Sequence, residues 1–249
     1  MELVILGSGT CVPSLNRGGP SQLIEAGASK LLIDTGLGTL RSLLRLGITY
    51  NDISHLLFTH IHPDHTAELV PFLFACKYSD TLRTRPLKII GGAGFRDFFH
   101  SLESVYGKWI KPDSFDLEIL ELVEERISFE GLEISTKKTA HIKESVGFRV
   151  ESGGKSIAVS GDTGYCPGVV ALAQDSDLLV VECSHPDGFP VEGHLTPSLV
   201  GQIASEAGCK RVLLSHFYPA VDFTFPDKKV RESFSGEVLA ATDLFRVNL

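Results

Sequence analysis

A chain of 249 residues with 43% hydrophobic residues carries enough apolar material for one large core, and no Pro/Gly/Ser-rich or charge-run linker divides it, so a single domain over 1–249 is expected. A net charge of −8 gives no general attraction to phosphate backbones, and no apolar run nears the ~20 residues that span a bilayer. Five cysteines (Cys11, Cys76, Cys166, Cys183, Cys209) lack metal or disulfide spacing and are expected to act as small buried hydrophobes, while Met1–Leu6 carries an acid too early for a signal peptide; the cytoplasm is the expected compartment.

In chain order, short β-type runs end abruptly in polar residues. Leu3–Leu6 stops at Gly7-Ser8-Gly9, Leu31–Ile33 at Asp34-Thr35-Gly36, and His55–Phe58 at Thr59-His60. Helical periodicity is predicted over Thr39–Leu46, Thr66–Tyr78 and Phe95–Tyr106. Residues from Ile119 to Val150 read as consecutive strands, with turns at Glu130-Gly131 and Glu151–Gly154, in the manner of antiparallel sheet. Ile157–Val159 then runs into Ser160-Gly161-Asp162, Leu178–Val181 into Glu182, and Val212–Leu214 into Ser215-His216. A helix over Thr196–Ala207 starts at Thr-Pro and stops at Gly208. Strands and helices mix in both halves, which predicts an α+β fold of two mixed sheets packed face to face with helices outside.

Chemistry concentrates at those strand ends. His60-Ile61-His62-Pro63-Asp64-His65 places three imidazoles and a carboxylate within six residues. A loop between strand and helix can turn such donors toward one point, whereas a regular helix would spread them around its axis. Further strand ends supply His141, Asp162 and His216. Seven donors exceed one tetrahedral ion but suit two sites of four if one carboxylate bridges, and Asp162 is the candidate bridge. With no thiolate among them, the set fits two divalent ions, zinc first and manganese second. His55, His100 and His185 are assigned only packing or surface roles. Lys228, Lys229 and Arg231 in the tail are read as a solvated face.

The chain resembles the metallo-β-lactamase superfamily, and within it the ribonuclease Z-like branch. The likeness rests on Leu6-Gly7-Ser8-Gly9-Thr10 with Pro13, on Leu31–Gly36, on Leu43–Ile48, and on the His60–His65 signature. It implies a four-layer αββα sandwich, with His60, His62, His141 and Asp162 on one metal and Asp64, His65, Asp162 and His216 on the other. It also implies a homodimer. Asp34 would order the signature loop through a metal-bound imidazole, or would be only a turn residue before Thr-Gly. Glu182 and His194, the latter within Glu192-Gly193-His194-Leu195-Thr196, resemble the branch's paired Glu and His at the scissile phosphate. Two departures stand out. Only residues 142 to 161 separate His141 from Asp162, which leaves no room for the long tRNA-gripping arm of ribonuclease Z, and Pro63 stands where that enzyme usually has Gly.

Two such ions would make hydroxide available at neutral pH and neutralise charge growing on phosphoryl or carbonyl oxygen. The expected activity is hydrolysis of a small or cyclic phosphodiester or nucleotide by a metal-bound hydroxide, with catalytic roles for Asp64, His194 and Glu182. Alternatives are a carboxylic ester, lactone or sulfate ester hydrolase on the same centre, then tRNA 3′ cleavage or a catalytically silent metal-binding module. Large RNA and membranes are not expected as partners.

Overall fold

The protein is described from a computed structural model over residues 1–129, 131–221 and 226–249. Seven strands, β1 (Glu2–Gly7), β2 (Ser21–Ala26), β3 (Ser29–Ile33), β4 (His55–Phe58), β5 (Leu87–Gly91), β6 (Leu117–Glu121) and β14 (Arg246–Asn248), form a first sheet in the order β14-β1-β2-β3-β4-β5-β6. Seven more, β7 (Arg126–Phe129), β8 (Leu132–Lys138), β9 (Val146–Ser152), β10 (Lys155–Val159), β11 (Leu178–Glu182), β12 (Arg211–Ser215) and β13 (Glu237–Ala240), form a second in the order β13-β12-β11-β10-β9-β8-β7. Strands covered on both faces are apolar throughout: every residue of β4 and of β11 is buried.

Between the sheets, Leu3, Ile5, Ile24, Ile33 and Leu57 meet Ile134, Phe148, Val150, Ile157 and Val180. On the far side of the first sheet, Leu6, Leu32 and Phe58 pack against α1 (Thr39–Arg45), α3 (Leu69–Tyr78) and α4 (Phe95–Tyr106) through Leu43, Phe72 and Phe95. The outer face of the second sheet, with Leu179, Val181 and Leu214, receives α5 (Pro167–Ala173), α6 (Pro197–Ala207) and α7 (Pro226–Val230) through Leu172, Ile203 and Val230. The layers are therefore helix, sheet, sheet, helix, as expected. Among the described residues, no helix is long and apolar enough to cross a membrane.

Two sequence expectations about these elements need correction, and a third is only partly described. β6 does not open the antiparallel run; it pairs in parallel with β5, because α4 carries the chain back across the first sheet, and antiparallel pairing begins only at β7. Of the turn expected at Glu130-Gly131, Glu130 lies outside the described residues. The helix expected over Thr66–Tyr78 is two pieces, α2 (Pro63–Thr66) and α3, because Glu68 spends its backbone N–H on the Thr35 carbonyl (2.8 Å) and its carboxylate on Gly38 and Leu40 N–H (2.6 and 2.7 Å). Two cysteines also depart from expectation: Cys11 is exposed and Cys166 only half-buried. In the tail, Lys229 pairs with Glu232 and Arg231 with Asp227 on the surface, as a solvated face would.

One buried charge holds the helical side of the first sheet. Arg83 is 1% exposed, and its guanidinium donates to the carbonyls of Arg85, Tyr50, Ile53 and Pro86 at 2.7–2.9 Å. Among the described residues it has no ion-pair partner, so backbone carbonyls chiefly solvate it, with the Phe115 ring 5.4 Å from its guanidinium carbon. Arg83→Ala strands those carbonyls and is expected to destabilise the fold by about 3 kcal/mol or more, read as a lower denaturant midpoint. Arg83→Lys should recover little, since an ammonium cannot reproduce the planar fork.

Candidate metal centre

Strand direction gathers the functional residues. β3 and β4 are parallel, β10, β11 and β12 are parallel, and β8 runs the same way as β10 because each is antiparallel to β9. Their carboxyl ends carry Asp34, His60, His141, Asp162, Glu182 and His216 to one edge of the sandwich, where the open crevice of such sheets lies. Pro63 starts α2, leaving His62 extended (ψ 147°) while Asp64 and His65 occupy a single helical turn. The six-residue signature is thus not all loop. One turn is short enough that the axis does not carry its donors apart.

Two donor sets result. His60 Nε2 and His141 Nε2 each lie 3.1 Å from His62 Nδ1, with Asp162 Oδ2 at 3.8 and 3.9 Å from the first two. On the other side of the same carboxylate, Asp162 Oδ1 is 3.3 Å from both His65 Nε2 and His216 Nε2, and Asp64 Oδ2 is 3.8 Å from each. Ligand atoms about 2.0–2.1 Å from a tetrahedral ion stand roughly 3.3 Å apart, which is close to these separations. Asp162 faces both sets, one oxygen to each. His65 Nε2, His216 Nε2 and Asp162 Oδ1 are buried with no hydrogen-bond partner among the described residues. Buried polar atoms are normally satisfied, and three orphans aimed at one point fit a cation.

The outer nitrogens of the imidazoles fix the inner ones as acceptors. Thr59 Oγ donates to Asp34 (2.8 Å) and so accepts from His60 Nδ1 (3.1 Å). His65 Nδ1 donates to Asp34 (2.8 Å), and His141 Nδ1 to the Gly193 carbonyl (3.0 Å). Ser184 Oγ donates to Glu182 and accepts from His216 Nδ1 (2.9 Å). Each arrangement frees a lone pair toward the cluster. Asp34 has a left-handed backbone (φ 56°) but makes no turn there; its carboxylate accepts from Thr59 and His65 and so orders the signature loop. Two glycines are required here. A Cβ on Gly161 (φ 60°) would meet the Thr59 side chain at 2.5 Å, and one on Gly193 (φ 79°) would come within 2.9 Å of His141 Nδ1.

Burial disfavours charge on His65, yet Asp162 and Asp34 on either side raise its pKa well above the ordinary value. Desolvation likewise pushes Asp162 up, but His216 and His65 hold it well below the usual carboxylate range. His60, buried among imidazoles, is pushed down.

Beside this cluster, Glu182 is 3% exposed and accepts from Thr163 N (2.6 Å), Leu195 N (3.1 Å) and His194 Nδ1 (3.1 Å). Burial lowers the pKa of His194, but the Glu182 hydrogen bond and charge outweigh it and the net shift is upward. A donor nitrogen of His194 lies within 4.8 Å of donor atoms of Asp162 and His216. A cleft of about 530 Å³ opens beside Asp64, between residues 10–15 and α1, with Arg41 and Arg45 on its wall.

All seven donors assigned from sequence therefore converge, together with Glu182 and His194. His100 stands apart on the surface and His55 packs on Phe129 (5.3 Å), but His185, given no role from sequence, stands against His194 at 5.5 Å. Thr59 and Ser184 were missed. Ser184 had a signal, since it follows Glu182 by two residues and so shares its side of an extended segment.

Comparison with known proteins identifies the family. The family model of the anti-Pycsar protein Apyc1 matches residues 1–222. A ribonuclease Z of Mycobacterium marinum is 28% identical over an alignment of 275 positions, gaps included, covering 100% of this chain and 99% of the relative. The crystal structure of the short form of human tRNase Z (ELAC1) superposes with a TM-score of 0.81 at 25% identity, covering 100% of this chain and 99% of that one. The metallo-β-lactamase fold protein YhfI of Bacillus subtilis gives a TM-score of 0.85 at 23% identity, over 99% and 98% of the two chains. With its matching model spanning residues 1–222, the chain belongs to the anti-Pycsar protein Apyc1 family, and with it to the metal-dependent hydrolases of the ribonuclease Z-like branch of the metallo-β-lactamase superfamily.

Proposed function

We propose that the protein hydrolyses a small or cyclic phosphodiester at a two-metal centre, and the observation that carries this reading is the buried Glu182 holding His194 beside the Asp162/His216 donors. His60, His62, His141 and Asp162 would hold one divalent ion and Asp64, His65, Asp162 and His216 the other, zinc being the expected metal. Bound there, the ions supply Lewis acidity and lower the pKa of water. Asp64, its side chain 15% exposed, orients the attacking water and takes its proton. As the water oxygen bonds to phosphorus and the ester P–O bond breaks, His194 gives its proton to the departing alkoxide, with Glu182 fixing the ring and stabilising its charged form. The Glu182 carboxylate, hydrogen-bonded to His194 Nδ1, favours the protonated ring.

A carboxylic ester or lactone makes less demand on a separate acid beside the metals, which places those hydrolyses second. Cleavage of tRNA remains the second phosphodiester reading, favoured by the relatives' names. Against it, the chain from His141 to Asp162 contains only a short link and the β9–β10 hairpin, and the net charge is −8. With metal-loaded protein, a small phosphodiester is expected to turn over faster than a β-lactam, a lactone or an aryl sulfate, and precursor tRNA poorly. Faster turnover of a lactone overturns the proposal, and efficient tRNA 3′ cleavage at physiological salt shows that another surface replaces the arm.

A further inference from the structure

Gln22 breaks the apolar pattern of the core between the sheets. On β2, Leu23 packs on the helical side and Ile24 between the sheets, so Gln22 points inward with Ile24. Its partners across β1 and β3 are Ile5 and Ile33, both members of that core. The residue is 6% exposed, and its carboxamide oxygen Oε1 has no hydrogen-bond partner among the described residues. A buried amide oxygen is costly in such a place unless something donates to it.

Gln22 lines a small cavity under the metal centre, of about 20 Å³, walled by Val159 and Val180 and by the inner sides of Asp162 and His216. One water molecule needs roughly 10–15 Å³ of such space, so the cavity has room for one and little more. Asp162 Oδ1, on the same cavity, is also buried with no hydrogen-bond partner among the described residues. The other carboxylates beside it are braced by the protein. Asp34 accepts from Thr59 N, Thr59 Oγ and His65, and Glu182 accepts from Thr163 N, Leu195 N and Ser184 Oγ. Asp162, the carboxylate that faces both donor sets, has no such brace on Oδ1.

We propose that one water molecule binds in this cavity and donates to both Gln22 Oε1 and Asp162 Oδ1, which makes Gln22 a positioning residue for the carboxylate between the two donor sets. A carboxylate oxygen has a second lone pair beside the one turned to a cation, so water and ion do not compete for it. Ser215, inward-facing like Leu213 on β12, brings a hydroxyl to the same cavity as a third partner, within the two to four that hold a buried water. Carboxylates that ligate metals are commonly hydrogen-bonded from outside, and losing that support costs about 10- to 100-fold in metal affinity or activity. The water thus gives Asp162 what backbone and hydroxyl donors give Asp34 and Glu182. This inference rests on the two-ion reading of the centre and is independent of the substrate.

In a crystal structure of the zinc-loaded protein fine enough to show ordered water, one water is expected about 2.5–3.0 Å from both Gln22 Oε1 and Asp162 Oδ1. A cavity without water, or a water that touches only one of the two, overturns the proposal. In chelator-competition titrations, Gln22→Leu, which removes the acceptor, should weaken zinc binding roughly 10- to 100-fold. The melting temperature of the metal-free variant should hold, because the loss lies in the placing of a ligand and not in packing. If Gln22→Leu does not fold, Gln22→Met, unbranched and of similar length, carries the same comparison. Unchanged zinc affinity, or a loss matched by an equal fall in metal-free stability, overturns the positioning role. A wild type that shows the water yet binds no zinc sinks the two-ion reading and leaves the water site standing.

Discussion

Asp162→Ala is expected to abolish metal binding at both sites and to reduce turnover by roughly 10³-fold or more, because Lewis-acid stabilisation worth several kcal/mol goes with the ions. Asp162 differs from the other ligands in serving two donor sets, Oδ2 facing His60 and His141 and Oδ1 facing His65 and His216. Its replacement leaves three imidazoles on one side and Asp64 with two imidazoles on the other, each set short of its shared carboxylate. Elemental analysis should find close to two ions per chain in the wild type and less than one in the variant. Thermal stability should fall with metal content, since an ion present at about 100 times its Kd stabilises the folded state by about 2.7 kcal/mol. A variant that still carries two ions would show that Asp162 does not bridge, and a wild type that never exceeds one ion would remove the second site.

His194→Ala is expected to keep the metals and the melting temperature while losing roughly 10²–10⁴-fold in turnover, the range for a general acid–base residue. His194 lies outside the two sets of four, and its Nδ1 is committed to Glu182. The leaving group separates its roles. An aryl oxide departs with little protonation, so general-acid catalysis predicts a small defect on aryl diesters and a large one on alkyl diesters. Equal defects would assign His194 to the phosphoryl oxygens. A loss of about 1 kcal/mol in stability with normal turnover would reduce it to a residue at the entrance of α6, whose N-cap is Thr196.

Much of the site was legible because the fold places function where strands stop. The His60–His65 cluster, Asp162 and His216 follow apolar runs closely, so a break in hydropathy marks these candidate ligands before any coordinate is known, whereas His141 follows the polar Thr136-Lys137-Lys138-Thr139. His60–His65 declares itself by density, and His141, Asp162 and His216 by their positions. Less was legible around them. Thr59 and Ser184 look like ordinary polar residues at strand ends, and only their neighbours reveal that they set imidazole tautomers. His185 was set aside because a single histidine in a polar stretch carries no signal; its partner Tyr218 is 33 positions away.

By itself the sequence indicated the fold class, the seven candidate donors, the Glu182/His194 pair and the short link between His141 and Asp162, because these depend on residue type, hydropathy period and length. Tertiary structure decided the rest. Parallel pairing of β6, the split between α2 and α3, the two faces of Asp162 and the stacking of His185 on Tyr218 all arise from contacts between segments distant in the chain. Local pattern specifies which residues are apolar and where strands end, whereas the direction of a strand and the orientation of a ring depend on what packs against them from elsewhere.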